Sequence, residues 1–233
     1  DRDRMLSNDG LSAHRLSTVL ALSEGRFARK ACMHCVEPGC AAACLVGGIT
    51  KLKEGPVVYD PNKCIGCRYC MLACPFHIPR YEWDKSSPFM QKCDMCSDRQ
   101  QAGSIPACVE ACPHGALMFG ERKVLLKEAK MRIEKYPGTY LPKIYGEHEY
   151  GGTCVLYITD VKLETLGFPA GETKAIPELT EPLISKTPFI GLSVAGSLLG
   201  LNWIIRRRQK LMGGNGKVKI PAKDTGEGGG GNE

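Results

Sequence analysis

The sequence has no Gly-x4-Gly-Lys-Ser/Thr loop to cradle a nucleotide phosphate, and no nucleophile paired with a general base. Chemistry on a bound substrate is therefore not written into it. A radical-type Cys-x3-Cys-x2-Cys triplet is missing too, because Gly47, His77 and Gly115 stand three residues past Cys44, Cys74 and Cys112. Aromatic side chains are only 7% of the chain, and few of them interleave with its basic stretches, which argues against a nucleic-acid module. Asp1 to Arg29 holds no apolar core of a secretory signal and does not begin with Met. The expectation is that upstream residues were removed or that the sequence begins inside a longer product. Gly226 and Gly228 to Gly231 supply flexibility to a tail and do not form a phosphate cradle.

What is present in excess is cysteine, 13 in 233 residues. A disulfide framework suits short chains that cannot build a core, whereas this one is long and 43% hydrophobic. The cysteines fall into three groups: Cys32-x2-Cys35-x4-Cys40-x3-Cys44, Cys64-x2-Cys67-x2-Cys70-x3-Cys74-Pro75, and Cys93-x2-Cys96-x11-Cys108-x3-Cys112-Pro113. The second is the bacterial ferredoxin run. Three thiolates from one tight loop can reach three irons of a cubane, while the fourth, one short helical step away, points to a neighbouring cluster. Gly66 suits a loop whose N–H groups approach sulfur, and Pro75 and Pro113 turn the chain after the outgoing ligand.

By that crossover rule Cys32, Cys35 and Cys40 share a [4Fe-4S] cluster with Cys74, and Cys64, Cys67 and Cys70 share one with Cys44. For the third group, either Cys93, Cys96, Cys108 and Cys112 close on one cluster, or Cys112 serves a further cluster whose other ligands lie upstream of Asp1. The second alternative is favoured, giving at least two clusters and three or four in a full-length chain. The rival from another class is a zinc-dependent interaction or nucleic-acid module. Zinc takes pairs of ligands around one ion, however, and tight triplets with a trailing cysteine suit it poorly. A Rieske-type use of His34 or His77 is unneeded beside complete thiolate sets, so both are expected outside the ligand shell or at the surface. Cys154, alone in an apolar stretch, reads as a small buried hydrophobe.

The formal charge of +6 invites an acidic partner. A cluster with four thiolates carries about 2− overall, so about three of them would offset it. Lys30, Lys63, Arg68, Lys92 and Arg99 then read as local compensation, with ordinary solvation as the plainer account of each.

The expected fold class is α+β: ferredoxin-like modules, with small antiparallel hairpins and short helices around the clusters, plus one C-terminal transmembrane helix. Ile49 to Lys53 and Val57 to Tyr59 flank Glu54-Gly55-Pro56 as a hairpin closed by Asp60-Pro61. Ala116 to Phe119 predicts a short strand, Lys123 to Tyr136 a helix stopped by Pro137-Gly138, and Cys154 to Ile158 a buried strand. Phe189 to Ile205 runs 17 residues without charge before Arg206, Arg207 and Arg208. That is about 25 Å of helix, enough to cross a bilayer with snorkelling arginines. Gly196 and Gly200, or Ser193, Ser197 and Asn202, suit contact with a partner helix. The positive-inside rule leaves Arg206 to Arg208 and Lys210 in the cytoplasm and the cysteine domain on the other side. The expected segments are a truncated N-terminal piece (1–29), a multi-cluster domain (30–160), a linker (161–186), the membrane helix (187–208) and a disordered cytoplasmic tail (209–233).

Three stretches carry a family resemblance: Cys32-Met-His-Cys-Val-Glu-Pro-Gly-Cys40, the run from Cys64 through Cys74-Pro-Phe-His-Ile-Pro-Arg-Tyr81, and Tyr145-Gly-Glu-His-Glu-Tyr-Gly-Gly-Thr153. They resemble the iron–sulfur subunits of membrane-bound, periplasm-facing nickel–iron hydrogenases, and are similar to the beta subunits of respiratory formate dehydrogenases. The resemblance implies a non-catalytic electron-transfer subunit with four clusters in a row. It implies as partners a catalytic oxidoreductase subunit and an integral membrane subunit, quinone-reactive or of cytochrome b type. It also implies residence at the cytoplasmic membrane and export in folded form; no nucleic-acid partner is expected, given the sparse aromatics among the basic stretches. The chain departs from the pattern by lacking a first Cys-x2-Cys-x2-Cys-x3-Cys group near its start. Purified chain is expected to hold inorganic sulfide in step with iron; a colourless protein with stoichiometric zinc would reverse the cluster reading.

Overall fold

Between residues 30 and 120 the chain is rich in Cys, Gly and Pro, and such a composition supports only short elements. A computed structural model describes residues 10–21, 25–170 and 173–212. It contains three antiparallel hairpins and seven α-helices among those residues. The strands are β1 (Ser17–Ala21), β2 (Phe27–Ala31), β3 (Ile49–Lys51), β4 (Val57–Tyr59), β5 (Arg80–Tyr81) and β6 (Met90–Gln91). The helices are α1 (Gly39–Ala42), α2 (Tyr69–Leu72), α3 (Ser97–Gln101), α4 (Ala107–Glu110), α5 (Arg122–Lys135), α6 (Ile176–Ile184) and α7 (Thr187–Leu211).

The β3–β4 hairpin forms where expected, with Ile49 opposite Tyr59. Its turn closes through Leu52 N–H to Pro56 O, and Asp60 Oδ1 then accepts the Asn62 N–H to cap the next turn. Helix α5 also forms and ends before Pro137. The β1–β2 hairpin is new relative to the sequence reading; it pairs Ser17 with Ala31 and delivers the chain into Cys32.

Two small apolar clusters hold the domain. One joins Met33, Phe76, Ile78, Tyr145, Leu163 and Phe168 to Cys32 and Cys74. The other joins Ile49, Val57, Met71, Tyr81 and Met90 to Cys70. Met33, Val57 and Met90 are almost fully buried, each contributing about 1.5–3 kcal/mol. These cores are built around the cysteines themselves.

Several expectations are corrected. Ala116 to Phe119 is not a strand: no neighbouring strand pairs with it among the described residues, and the Ala116 N–H is turned to Cys112 Sγ. Cys154 to Ile158 forms no strand ladder among the described residues: it begins in a bend and makes one isolated bridge, Tyr157 with Tyr145. Within the segment expected as a linker, Leu163, Phe168 and Ala175 are buried and α6 is helical. Of the tail expected over 209–233, residues 209–211 continue α7, and those beyond 212 lie outside the described residues.

The chain divides into two units, Asp1–Pro182 and Leu183–Glu233. In the second, α7 carries Pro188 in its first turn and buries none of its residues. The helical stretch Ile176–Leu211 is long and apolar enough to cross a membrane by length and composition. Ser193 and Ser197 bond back to the carbonyls of Phe189 and Ser193, both at 2.8 Å.

The loop Tyr145 to Thr153 closes the first unit. Buried Glu149 accepts the Gly146 N–H at 2.6 Å and pairs with Lys143 at 2.9 Å. Gly146 has φ +97°, and a Cβ there would lie 2.4 Å from Thr153 Oγ1 and 2.5 Å from the Val155 carbonyl. Gly146→Ala should therefore lower stability by about 2–4 kcal/mol, read as a thermal midpoint several degrees lower in cluster-loaded protein.

Candidate cluster-binding sites

The three cysteine groups, different in sequence, share two local folds. In the leading Cys-x2-Cys loop of each group the second inner residue is left-handed: His34 at φ 48°, Gly66 at 71° and Met95 at 59°. This conformation curls the backbone so that N–H groups face sulfur, and Met95 N–H donates to Cys93 Sγ at 3.4 Å. Glycine takes such a turn freely; His34 and Met95 are held in it by surrounding structure.

The second shared fold follows each trailing cysteine. Cys44, Cys74 and Cys112 come directly after α1, α2 and α4, whose last caps are Ala43, Ala73 and Ala111 in nearly identical conformations. Three residues on, Gly47, His77 and Gly115 are left-handed. Each thiol then accepts an N–H from four residues ahead: Gly48 at 3.2 Å, Ile78 at 3.5 Å and Ala116 at 3.3 Å. Backbone donors to sulfur are what a thiolate ligand needs and a thiol barely uses.

Tertiary packing brings the first two groups together in crossed fashion. Cys35 and Cys40 each lie within electrostatic reach of Cys74 and Cys32. Cys70 feels Cys64, Cys67 and Cys44. Cys44, Cys64, Cys67 and Cys70 also line one cavity with Val46, Ile49, Ile65, Tyr59 and Tyr81. The hydroxyl of Tyr81 lies 3.8 Å from Cys70 Sγ. Cys93, Cys96 and Cys108 line a separate, far larger cavity of about 620 Å³, whose wall includes Cys32, His34 and Cys154. Cys112 is not among its lining residues, and its thiol faces the backbone N–H groups of its own turn.

The electrostatics suit iron. Burial, with Cys74 and Cys32 nearby, pushes the Cys35 thiol up to about 12. Burial likewise raises Cys74 to about 11, against the Ile78 N–H. Burial also raises Cys40, Cys70 and Cys93. Cys112 alone is lowered, by the N–H groups of Ala116 and Leu117. Packed thiols that oppose one another's charge are reconciled by a cationic core that all of them share. Among the described residues no three His, Cys, Asp or Glu side chains converge as a single ion requires. None of the thirteen cysteines is in a disulfide. Tight cysteine triplets with a trailing cysteine fit a polynuclear cluster better than one zinc ion.

Of the basic residues expected to compensate cluster charge, Lys92 is buried and acts on Cys40, Cys74 and Cys93. Lys63 instead pairs with Asp60, Arg99 with Glu110, and Arg68 stacks 4.6 Å from the Trp83 ring. Sequence reasoning missed Lys51, whose ammonium reaches His34 O, Gly55 O and Cys154 Sγ at 3.1, 2.6 and 3.2 Å. Cys154 is thus half-buried and hydrogen-bonded, not a plain apolar filler. His34 is buried, not at the surface, and burial with Lys92, Lys51 and Arg29 nearby lowers it to about 2, so its ring is neutral.

Residues 24–122 match the 4Fe-4S dicluster domain family. The chain is 41% identical to a protein of Nitratidesulfovibrio vulgaris, the match covering 91% of this chain and 58% of the relative. It is 37% identical to the hydrogenase-2 operon protein HybA of Escherichia coli O157:H7, over 79% of this chain and 64% of that one. The nitrate-inducible formate dehydrogenase iron-sulfur subunit of Escherichia coli K12 is 42% identical over 54% of this chain and 44% of its own length. The chain thus spans less than two thirds of the length of each of these relatives.

The crossed grouping predicts the outcome of one exchange. Cys44→Ser should perturb the electron paramagnetic resonance signal belonging to Cys64, Cys67 and Cys70 while sparing that of Cys32, Cys35 and Cys40, although Cys44 stands nearer the latter in sequence.

Proposed function

We propose that this chain, whose residues 24–122 form a 4Fe-4S dicluster domain, is an electron-transfer subunit of a membrane-associated oxidoreductase. The observation that carries the reading is the crossed proximity of the trailing cysteines: Cys74 stands near Cys35 and Cys40, and Cys44 lines a cavity with Cys64, Cys67 and Cys70. Cys32, Cys35 and Cys40 with Cys74 hold one [4Fe-4S] cluster, and Cys64, Cys67 and Cys70 with Cys44 hold a second. Ligands traded in this way keep the two centres close and fixed, as one-electron hopping requires. Cluster potentials answer to ligation, hydrogen bonds to sulfur and burial, and the chain supplies each of these through its turns and its tyrosines.

Cys93, Cys96 and Cys108 hold a third cluster, whose fourth ligand comes from elsewhere, and Cys112 serves a fourth. The common turn of Cys44, Cys74 and Cys112 supports this, as does the separation of Cys112 from the cavity that the other three line. Closure of all four on a single cluster has no such support.

The electron donor or acceptor is a catalytic subunit of hydrogenase or formate dehydrogenase type, on the strength of the named relatives. Helix α7 crosses the cytoplasmic membrane, with Arg206 to Arg208 and Lys210 on the cytoplasmic side and the cluster domain on the periplasmic side. Its neighbour there is an integral membrane subunit that passes electrons to quinone or haem. Arg207, 5.3 Å from the Trp203 ring, forms with it an interfacial anchor at the helix end.

The test has two arms. Removing everything after Lys186 should release the isolated chain from membranes, and retention of that truncated chain would sink the anchor. Reductive titration of the cluster-loaded chain should show at least two interacting paramagnetic centres, and one isolated centre or none would sink the wiring.

A further inference from the structure

His34 occupies the bend between Cys32 and Cys35 where the second loop has Gly66, so a branched ring is held in a conformation that glycine takes without strain. Its surroundings fix it on three sides. The Val57 N–H donates to Nδ1 at 2.9 Å. The His34 carbonyl accepts from Lys51 Nζ and from the Cys154 N–H, both at 3.1 Å. With Nδ1 an acceptor, the neutral ring carries its proton on Nε2.

That Nε2–H is buried and has no partner among the protein's own groups. His34 is 1% exposed, so bulk solvent does not reach it. A buried donor without an acceptor costs about 1–3 kcal/mol, and natural chains keep one when something absent from the bare polypeptide receives the bond. His34 stands between Cys32 and Cys35 in the chain and is among the residues lining the cavity of Cys93, Cys96 and Cys108. Sulfur of a bound cluster is the acceptor that both placements offer.

We infer that His34 donates its Nε2–H to a sulfur of an adjacent [4Fe-4S] cluster, and so acts as a positioning residue that raises that cluster's reduction potential. The inference rests on the cluster-binding reading above. A hydrogen bond to sulfur favours the reduced form, which holds the greater negative charge. Because the bond comes from a neutral ring in a locked loop, its effect is built in and adds no net charge.

The experiment compares the full chain, cluster-loaded, as wild type, His34→Phe and His34→Gln, by potentiometric titration followed by electron paramagnetic resonance. With iron and sulfide contents equal, His34→Phe should show one centre whose reduced-to-oxidised ratio at fixed potential falls about tenfold, equivalent to ~59 mV for one electron. His34→Gln, which keeps an N–H donor, should fall less. The signal that moves tells whether the Cys32 set or the Cys93 set receives the bond. Unchanged potentials in His34→Phe at full iron content would overturn the inference. If the variants fail to load, wild-type protein carrying ¹⁵N-histidine is examined by pulsed resonance in the reduced state. A histidine coupling with an exchangeable proton supports the bond, and its absence overturns it. Wild type that holds no sulfide would strike the cluster-binding reading itself, a result distinct from either of these.

Discussion

Sulfur has to meet iron from several directions at once, and a polypeptide can arrange this only by bending sharply with its N–H groups turned inward. Every other feature of the cluster domain serves that bend. Three loops place a left-handed residue between the first two cysteines, and three more place one just after the trailing cysteine. The apolar clusters are small and include Cys32, Cys70 and Cys74 among their members. Stability and cofactor binding are consequently one quantity here, because the groups that would fill a larger core have been replaced by ligands.

The arrangement also sets the electrostatics. Thiols brought together out of water resist ionisation, and the chain answers with backbone dipoles at each trailing cysteine and with a few buried cations. Lys92 is the clearest of these, since its ammonium is satisfied by the carbonyls of Val57 and Cys93 while standing within reach of Cys40, Cys74 and Cys93. Lys51 does similar work at the back of the first loop, binding two carbonyls and Cys154. The excess positive charge of the sequence is thus partly a structural component and partly ordinary surface, as the exposed pairs of Lys63 and Arg99 show.

Much of this could be read before any coordinates. Cysteine spacing announced the clusters, Gly55-Pro56 announced the β3–β4 hairpin, and apolar periodicity announced α5. What escaped was whatever depends on distant partners. Ala116 to Phe119 has strand composition but no strand beside it, so it stays irregular. The β1–β2 hairpin mixes charges with exposed apolar residues and gives no clean alternation. Histidine signals a left-handed turn far more weakly than glycine, and methionine does not signal one, so only the shared loop geometry exposes the equivalence of His34 and Met95 to Gly66. Lys51 looked like any surface lysine because its three acceptors come from separate stretches of chain.

One consequence concerns biosynthesis. The first cysteine loop is backed by residues far along the chain: Val155 N–H bonds to Met33 O, Tyr157 OH to Arg29 O, and Arg26 to Asp160. These ties span up to 134 positions. The support behind Cys32 and Cys35 therefore cannot exist until translation has passed Asp160, and contacts of such long range form slowly. Iron and sulfide accordingly meet a fully backed first loop only in a polypeptide already synthesised past Asp160.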